Sequence, residues 1–219
     1  METKRLWIIV FVIMLVSCTP ATTVVFPTET LISSITFTSV PPTTTSEPTS
    51  THSMSIEPGT YLVGTEIDPG IYRGQSEGDL PKGICGWTRL KDISGNIDAI
   101  LGSNTAHGQF YVEIKDSDYA FKTTCKLIPL DSLPNVTQSF PAKFEYGMYL
   151  VGRDINAGIY RGIPKDGAKA PCFWERLQNV AGSWDGVIAN GHETKEFYVE
   201  ILKSDFAFIT TCELMIVGY

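Results

Sequence analysis

The chain has 219 residues, 24 acidic against 17 basic, and a net charge of −7. Nucleic acid is held through clustered cations, so this balance argues against a nucleic-acid partner. It also disfavours electrostatic adhesion to anionic lipid or teichoic polymers unless the Arg residues cluster locally.

Lys4 and Arg5 precede Leu6 to Val16, an unbroken apolar run of 11 residues. A membrane-crossing helix needs about 20 residues, so the run has the length of a signal-peptide core. It ends in Leu15-Val16-Ser17-Cys18, which resembles the bacterial lipobox, where the peptidase cuts ahead of an acylated cysteine. Residues 1–17 are therefore expected to be a lipoprotein signal peptide and Cys18 the lipidation site. An ordinary signal peptide or a short anchor is the other reading. Several acyl chains anchor stably where one is marginal, so acylated Cys18 is expected to tether the protein to the outer side of a bacterial membrane. A chain beginning at Cys18 loses Glu2, Lys4 and Arg5 and carries a net charge of −8.

From Thr19 to Ile56 half of the residues are Ser or Thr, with Pro20, Pro27, Pro41, Pro42 and Pro48 among them and no Lys or Arg. Such a composition buries too little apolar surface to offset ordering entropy, so residues 18–56 are expected to be the lipidated Cys and a disordered stalk. The Ser/Thr/Pro mixture is that of O-glycosylated stalks.

The rest of the chain is a duplication. Gly59-Thr60-Tyr61-Leu62-Val63-Gly64 returns as Gly147-Met148-Tyr149-Leu150-Val151-Gly152, 88 residues on, and Gly70-Ile71-Tyr72-Arg73-Gly74 returns as Gly158-Ile159-Tyr160-Arg161-Gly162. One residue is then lost, and from Cys85 the offset is 87: Cys85-Gly86-Trp87-Thr88-Arg89-Leu90 matches Cys172-Phe173-Trp174-Glu175-Arg176-Leu177. The period is too long for a solenoid repeat, so each copy is expected to be a domain. The predicted divisions are 57–130 for the first β-domain, 131–143 for a linker and 144–219 for the second.

Phe110, Val112 and Ile114 alternate with Tyr111 and Glu113, and the second copy does the same. This is the period of a strand. Frequent Gly, Pro, Asn and Asp breaks then predict an all-β fold: two tandem small disulfide-bonded domains, each a β-sandwich or barrel of about six or seven strands.

With Cys18 assigned to lipid, two cysteines remain per copy, each pair 40 residues apart. Exported chains keep disulfides. Four cysteines allow about three pairings, and the duplication selects Cys85–Cys125 and Cys172–Cys212, because each copy must be self-sufficient.

The duplicated side chains are the candidates for function. Trp87 and Trp174 lie on the strand face of the neighbouring cysteine; they are read either as core residues against the disulfide or as stacking platforms. Arg89 and Arg176 share that face, and a buried Arg needs a carboxylate, for which Asp118/Asp205 and Glu113/Glu200 are the duplicated candidates. Tyr72-Arg73 and Tyr160-Arg161 could form an Arg–aromatic surface for an anionic ligand or a structural salt bridge. Catalysis is not expected. His107 and His192 fall in one loop but at non-equivalent positions, unlike the fixed His of a Ser–His–carboxylate triad. No phosphate loop or zinc motif is present, so neither cofactor nor metal is expected.

The combined pattern G-x-Y-x-V-G, I-x-x-G-x-Y-R, C-x-W-x-R-L, S-D-x-A-F and a closing Cys resembles a β-domain repeat of secreted proteins and lipoproteins from actinobacteria and other bacteria. The resemblance covers nearly all of Pro58 to Tyr219 and implies export and a compact disulfide-bonded domain. The function expected from these readings is a non-enzymatic surface lipoprotein whose tandem domains bind an extracellular glycan, wall polymer or protein. The alternatives are an envelope spacer without a specific ligand and, remotely, a hydrolase. Solvent exposure of the duplicated aromatics would favour binding, and their burial a spacer.

Overall fold

The computed structural model describes residues 55–77, 83–134, 140–165 and 169–218. The expected signal peptide, Cys18 and the stalk up to residue 54 lie outside them. The first copy forms β1 (Gly59–Leu62), β2 (Gly70–Gln75), β3 (Cys85–Leu90), β4 (Ile100–Ala106), β5 (Gln109–Ile114), β6 (Ala120–Thr123) and β7 (Leu127–Pro129). The second forms β8 (Lys143–Phe144), β9 (Gly147–Leu150), β10 (Gly158–Gly162), β11 (Cys172–Leu177), β12 (Val187–Glu193), β13 (Phe197–Ile201), β14 (Ala207–Thr210) and β15 (Leu214–Gly218). The chain is all-β, and each copy is a two-sheet sandwich.

The first copy stacks the sheet β1-β6-β3-β4 on β5-β2-β7; the second stacks β9-β14-β11-β12 on β13-β10-β15-β8. Ile56, at the end of the expected stalk, belongs to the first domain: it is buried and exchanges two 2.8 Å backbone hydrogen bonds with Leu127. Phe144 takes the same place beside Leu214 in the second domain.

Strand alternation sorts the side chains. In β3, Cys85, Trp87 and Arg89 point inward, and in β13, Phe197, Val199 and Ile201 do. Both disulfides are within one copy, Cys85–Cys125 and Cys172–Cys212, with Cα–Cα distances of 5.5 and 5.4 Å. The buried Arg of each domain is clamped by the Asp of its S-D-x-A-F motif, not by the Glu of its β5 or β13 strand. Arg89 donates to both oxygens of Asp118 at 2.7 Å, and Arg176 donates to Asp205 at 2.7 and 2.9 Å. The same carboxylates accept the backbone N–H of Lys115 and Leu202, closing the turn before β6 and β14.

The copies are not separate in burial. β5 and β9 pair in parallel at Gln109 and Gly147, so one seven-stranded sheet, β12-β11-β14-β9-β5-β2-β7, runs through both domains. Met148, Leu150, Leu177 and Val180 of the second copy complete the core around Trp87, Phe110 and Phe121 of the first. The second core, around Phe144, Tyr160, Phe197, Phe208 and Leu214, is built from its own copy. Self-sufficiency therefore holds for the disulfides but not for the apolar contacts.

Candidate functional site

The site grows from the way the copies join. The segment after β11 bends over the edge of the first sandwich: Glu113 N–H donates to the Val180 carbonyl at 3.1 Å, and Arg89 Nη1 to the Ala181 carbonyl at 3.0 Å. Gly182, at φ 71°, lays its bare Cα on the Trp87 ring, where a Cβ would collide. Gln109 Nε2 donates to the Met148 carbonyl at 3.1 Å and to Asp154 Oδ2 at 3.3 Å. Tyr111 is sealed beneath β9, where burial and the nearby Asp154 carboxylate push its phenol far above the ordinary range.

This joint leaves a cleft of about 340 Å³ between the domains. One wall is β4, from Ser103 to Ala106, with His107 beyond it. The floor is the outward face of β11 and β14, with Phe173, Glu175 and Ile209; the segment from Asn179 to Trp184 closes one end. Phe173 and Glu175 reach it because they alternate with Cys172, Trp174 and Arg176, which point into the second domain. Trp184 stands at the cleft with 87% of its surface exposed, held out by a short 3-10 turn from Trp184 to Gly186. Tyr146 meets His107 edge-on, ring centroids 5.0 Å apart, and His107 Nδ1 lies 2.9 Å from the Gly83 carbonyl.

The lining also carries uncharged hydrogen-bonding groups, Ser103, Asn104, Thr105, Asn179, Ser183 and Thr211, beside apolar side chains such as Met148, Leu177 and Val187. Glu175 is the one carboxylate among the described residues of the lining, and burial raises its pKa above the ordinary value. Aromatic faces beside neutral amides and hydroxyls suit a ligand that alternates apolar C–H faces with hydroxyl groups.

A family model described as the Rv1352-like extracellular domain matches residues 52–127 and again 138–213. The chain belongs to that family. No curated protein and no solved structure matches it. Both Rv1352-like domains are thus extracytoplasmic, in accord with the reading of an exported duplication.

The residues shared by the two Rv1352-like domains mostly hold them together. Tyr72 and Tyr160 are buried, and their hydroxyls donate to the Asp68 and Asn156 carbonyls at 2.8 Å. Burial and Asp68 raise the Tyr72 phenol to about 12. The expected Tyr–Arg surface does not form, because neighbours on a strand point to opposite faces. Arg161 is at the surface, donating to both oxygens of Glu196 at 2.9 and 2.8 Å; Arg73 is half-buried; neither lines the cleft. Arg89 is buried in its Asp clamp, and Arg176 is partly covered in the same clamp. Trp87 is core, stacked near Phe121 and forming one edge of the cleft. Trp174 packs on Phe208 but is only half-covered, lying over Gly191.

The cleft residues that the sequence reading passed over are those the copies do not share. Tyr146, Phe173, Glu175 and Trp184 stand where the first copy has Pro58, Gly86, Thr88 and Ile97. The usable signal was Trp184 itself, a large aromatic in a polar turn between Ser183 and Asp185.

Proposed function

We propose that this is a surface lipoprotein of the bacterial envelope, tethered through acylated Cys18, whose inter-domain cleft binds an extracellular glycan, free or within a wall polymer, without transforming it. The observation that carries the reading is the 87% exposed Trp184 beside a lining that mixes apolar side chains with neutral amides and hydroxyls. Hydrolysis of a glycosidic bond generally requires two carboxyl groups roughly 5–10 Å apart; among the described residues that line the cleft Glu175 is the one carboxylate. The net charge of −7 disfavours nucleic acid as the ligand.

The test is a glycan array and wall-polymer pull-down with the full chain and its Trp184→Ala variant. Loss of one or two orders of magnitude in affinity with an unchanged melting temperature supports the cleft as the site, since a stacking aromatic at a binding centre is worth about 2 kcal/mol or more. Equal binding by both proteins removes the cleft from the reading. The second reading, a spacer, is favoured by the burial of Tyr72, Tyr160 and Trp87; retention of no glycan at all by the wild-type chain would select it.

A further inference from the structure

The joint between the domains is head-to-tail, and both of its halves recur unfilled at the outer ends. On the first domain, the segment equivalent to Val180-Ala181-Gly182 is Ile93-Ser94-Gly95. It has the same shape with no partner: Ser94 N–H bonds Asp92 Oδ1 at 2.9 Å as Ala181 N–H bonds Asn179 Oδ1 at 3.1 Å, and Gly95 has φ 78° against 71° for Gly182. Ile93 is 63% exposed, whereas Val180 is 2% exposed. On the second domain, Tyr198 is 61% exposed where Tyr111 is 1%. Arg176 repeats the clamp of Arg89, but among the described residues its Nη1 meets no carbonyl in place of that of Ala181.

Three substitutions spoil the fit. A Cβ on Gly102 would lie 2.7 Å from the Ala181 oxygen, and one on Gly108 2.8 Å from the Tyr146 oxygen, both backbone atoms with little room to yield. The equivalent positions are Ala189 and Lys195. Gly108 also uses φ 76°, and no described non-glycine residue has a positive φ. Gln109, which bonds Asp154, is replaced by Glu196, which would meet Glu66. A neutral donor facing a carboxylate thus becomes a carboxylate already held by Arg161, with no N–H to offer Glu66.

We propose that the joint surface is a docking surface for a second copy of the same domain, and that Ala189, Lys195 and Glu196 close it on the outer domain. A head-to-tail contact that does not close into a ring propagates into filaments, and the outer units of a repeat array are commonly altered to stop this. The two-domain unit therefore does not recruit further copies through these surfaces. This holds whatever the cleft binds.

The test is sedimentation velocity of the full chain in density-matched detergent. The wild type is expected to stay a single one-chain species across a concentration series. The Ala189→Gly/Lys195→Gly/Glu196→Gln variant is expected to give a concentration-dependent ladder, abolished by adding Ile93→Asp. A wild-type chain whose self-association is abolished by Ile93→Asp would overturn the proposal, as would a folded triple variant that stays a single species. Should the triple variant not fold, Gly102→Ala/Gln109→Glu tests the same residues from the other side. The shared core predicts one calorimetric transition for the wild type; the variant should give two, and one unchanged transition would count against the assignment.

Discussion

Replacing Arg89 by Ala removes one partner of an ion pair that is nearly dry, its side chains 5% and 0% exposed. Breaking such a pair costs about 3–5 kcal/mol, because the survivor is left charged and buried. Asp118 would keep the backbone N–H of Lys115 at 2.9 Å, which points to the lower end, ~3 kcal/mol. Arg89 also holds the Ala181 carbonyl across the joint, adding ~1 kcal/mol. The sum, ~4 kcal/mol, corresponds to a fall in melting temperature of roughly 8–16 °C when both domains unfold as one cooperative unit. Arg176→Ala should cost less, because Arg176 makes no bond across a joint and its side chain is 17% exposed. Calorimetry and urea unfolding with the disulfides intact measure both. The Arg89→Met/Asp118→Leu double variant should recover only part of the loss: an apolar pair can replace a buried ion pair at little cost, but the Lys115 N–H and the Ala181 carbonyl lose these partners. A loss below ~1 kcal/mol in Arg89→Ala, or additive losses in the double variant, would refute the argument.

Three further outcomes are expected. Glu175 has its folded-state pKa raised by burial, so the cost of ionising it is absent below the unfolded-state pKa and fully present above the folded one; Glu175→Gln should raise the melting temperature at neutral pH and change nothing near pH ~3, below both values. Cys172→Ser/Cys212→Ser opens a loop of 40 residues and should cost about 4 kcal/mol by the chain-entropy model, measured by urea unfolding; a loss under ~1 kcal/mol would show that the joint and core hold the second domain without the bridge. Cys18→Ala should abolish fatty-acid labelling and leave uncleaved precursor or soluble protein; a variant that still labels would end the lipoprotein reading.

What the sequence determined by itself was whatever each copy must do alone. Period-two alternation around Phe110 put that side chain in a sandwich core, because a strand has only two faces and one of them must be dry; the same alternation set Trp87 on the face of Cys85 but left core and stacking platform both open. The equal spacing of Cys85–Cys125 and Cys172–Cys212 fixed the disulfides, because a duplicated domain closes its own loops. The need of a buried Arg for a carboxylate narrowed the partner of Arg89 to two residues, and packing chose Asp118. Tertiary structure decided what depends on the copies being unlike. Tyr72 and Tyr160 could be read as binding groups from their retention, yet they are retained because their hydroxyls pin a backbone turn inside the fold. The cleft is made of Phe173, Glu175 and Trp184 on one copy and β4 on the other, residues that no comparison of the copies could single out. Two identical sheets placed head-to-tail present opposite ends to each other, so the surfaces that meet are never equivalent, and a groove between them appears only when the joint is formed.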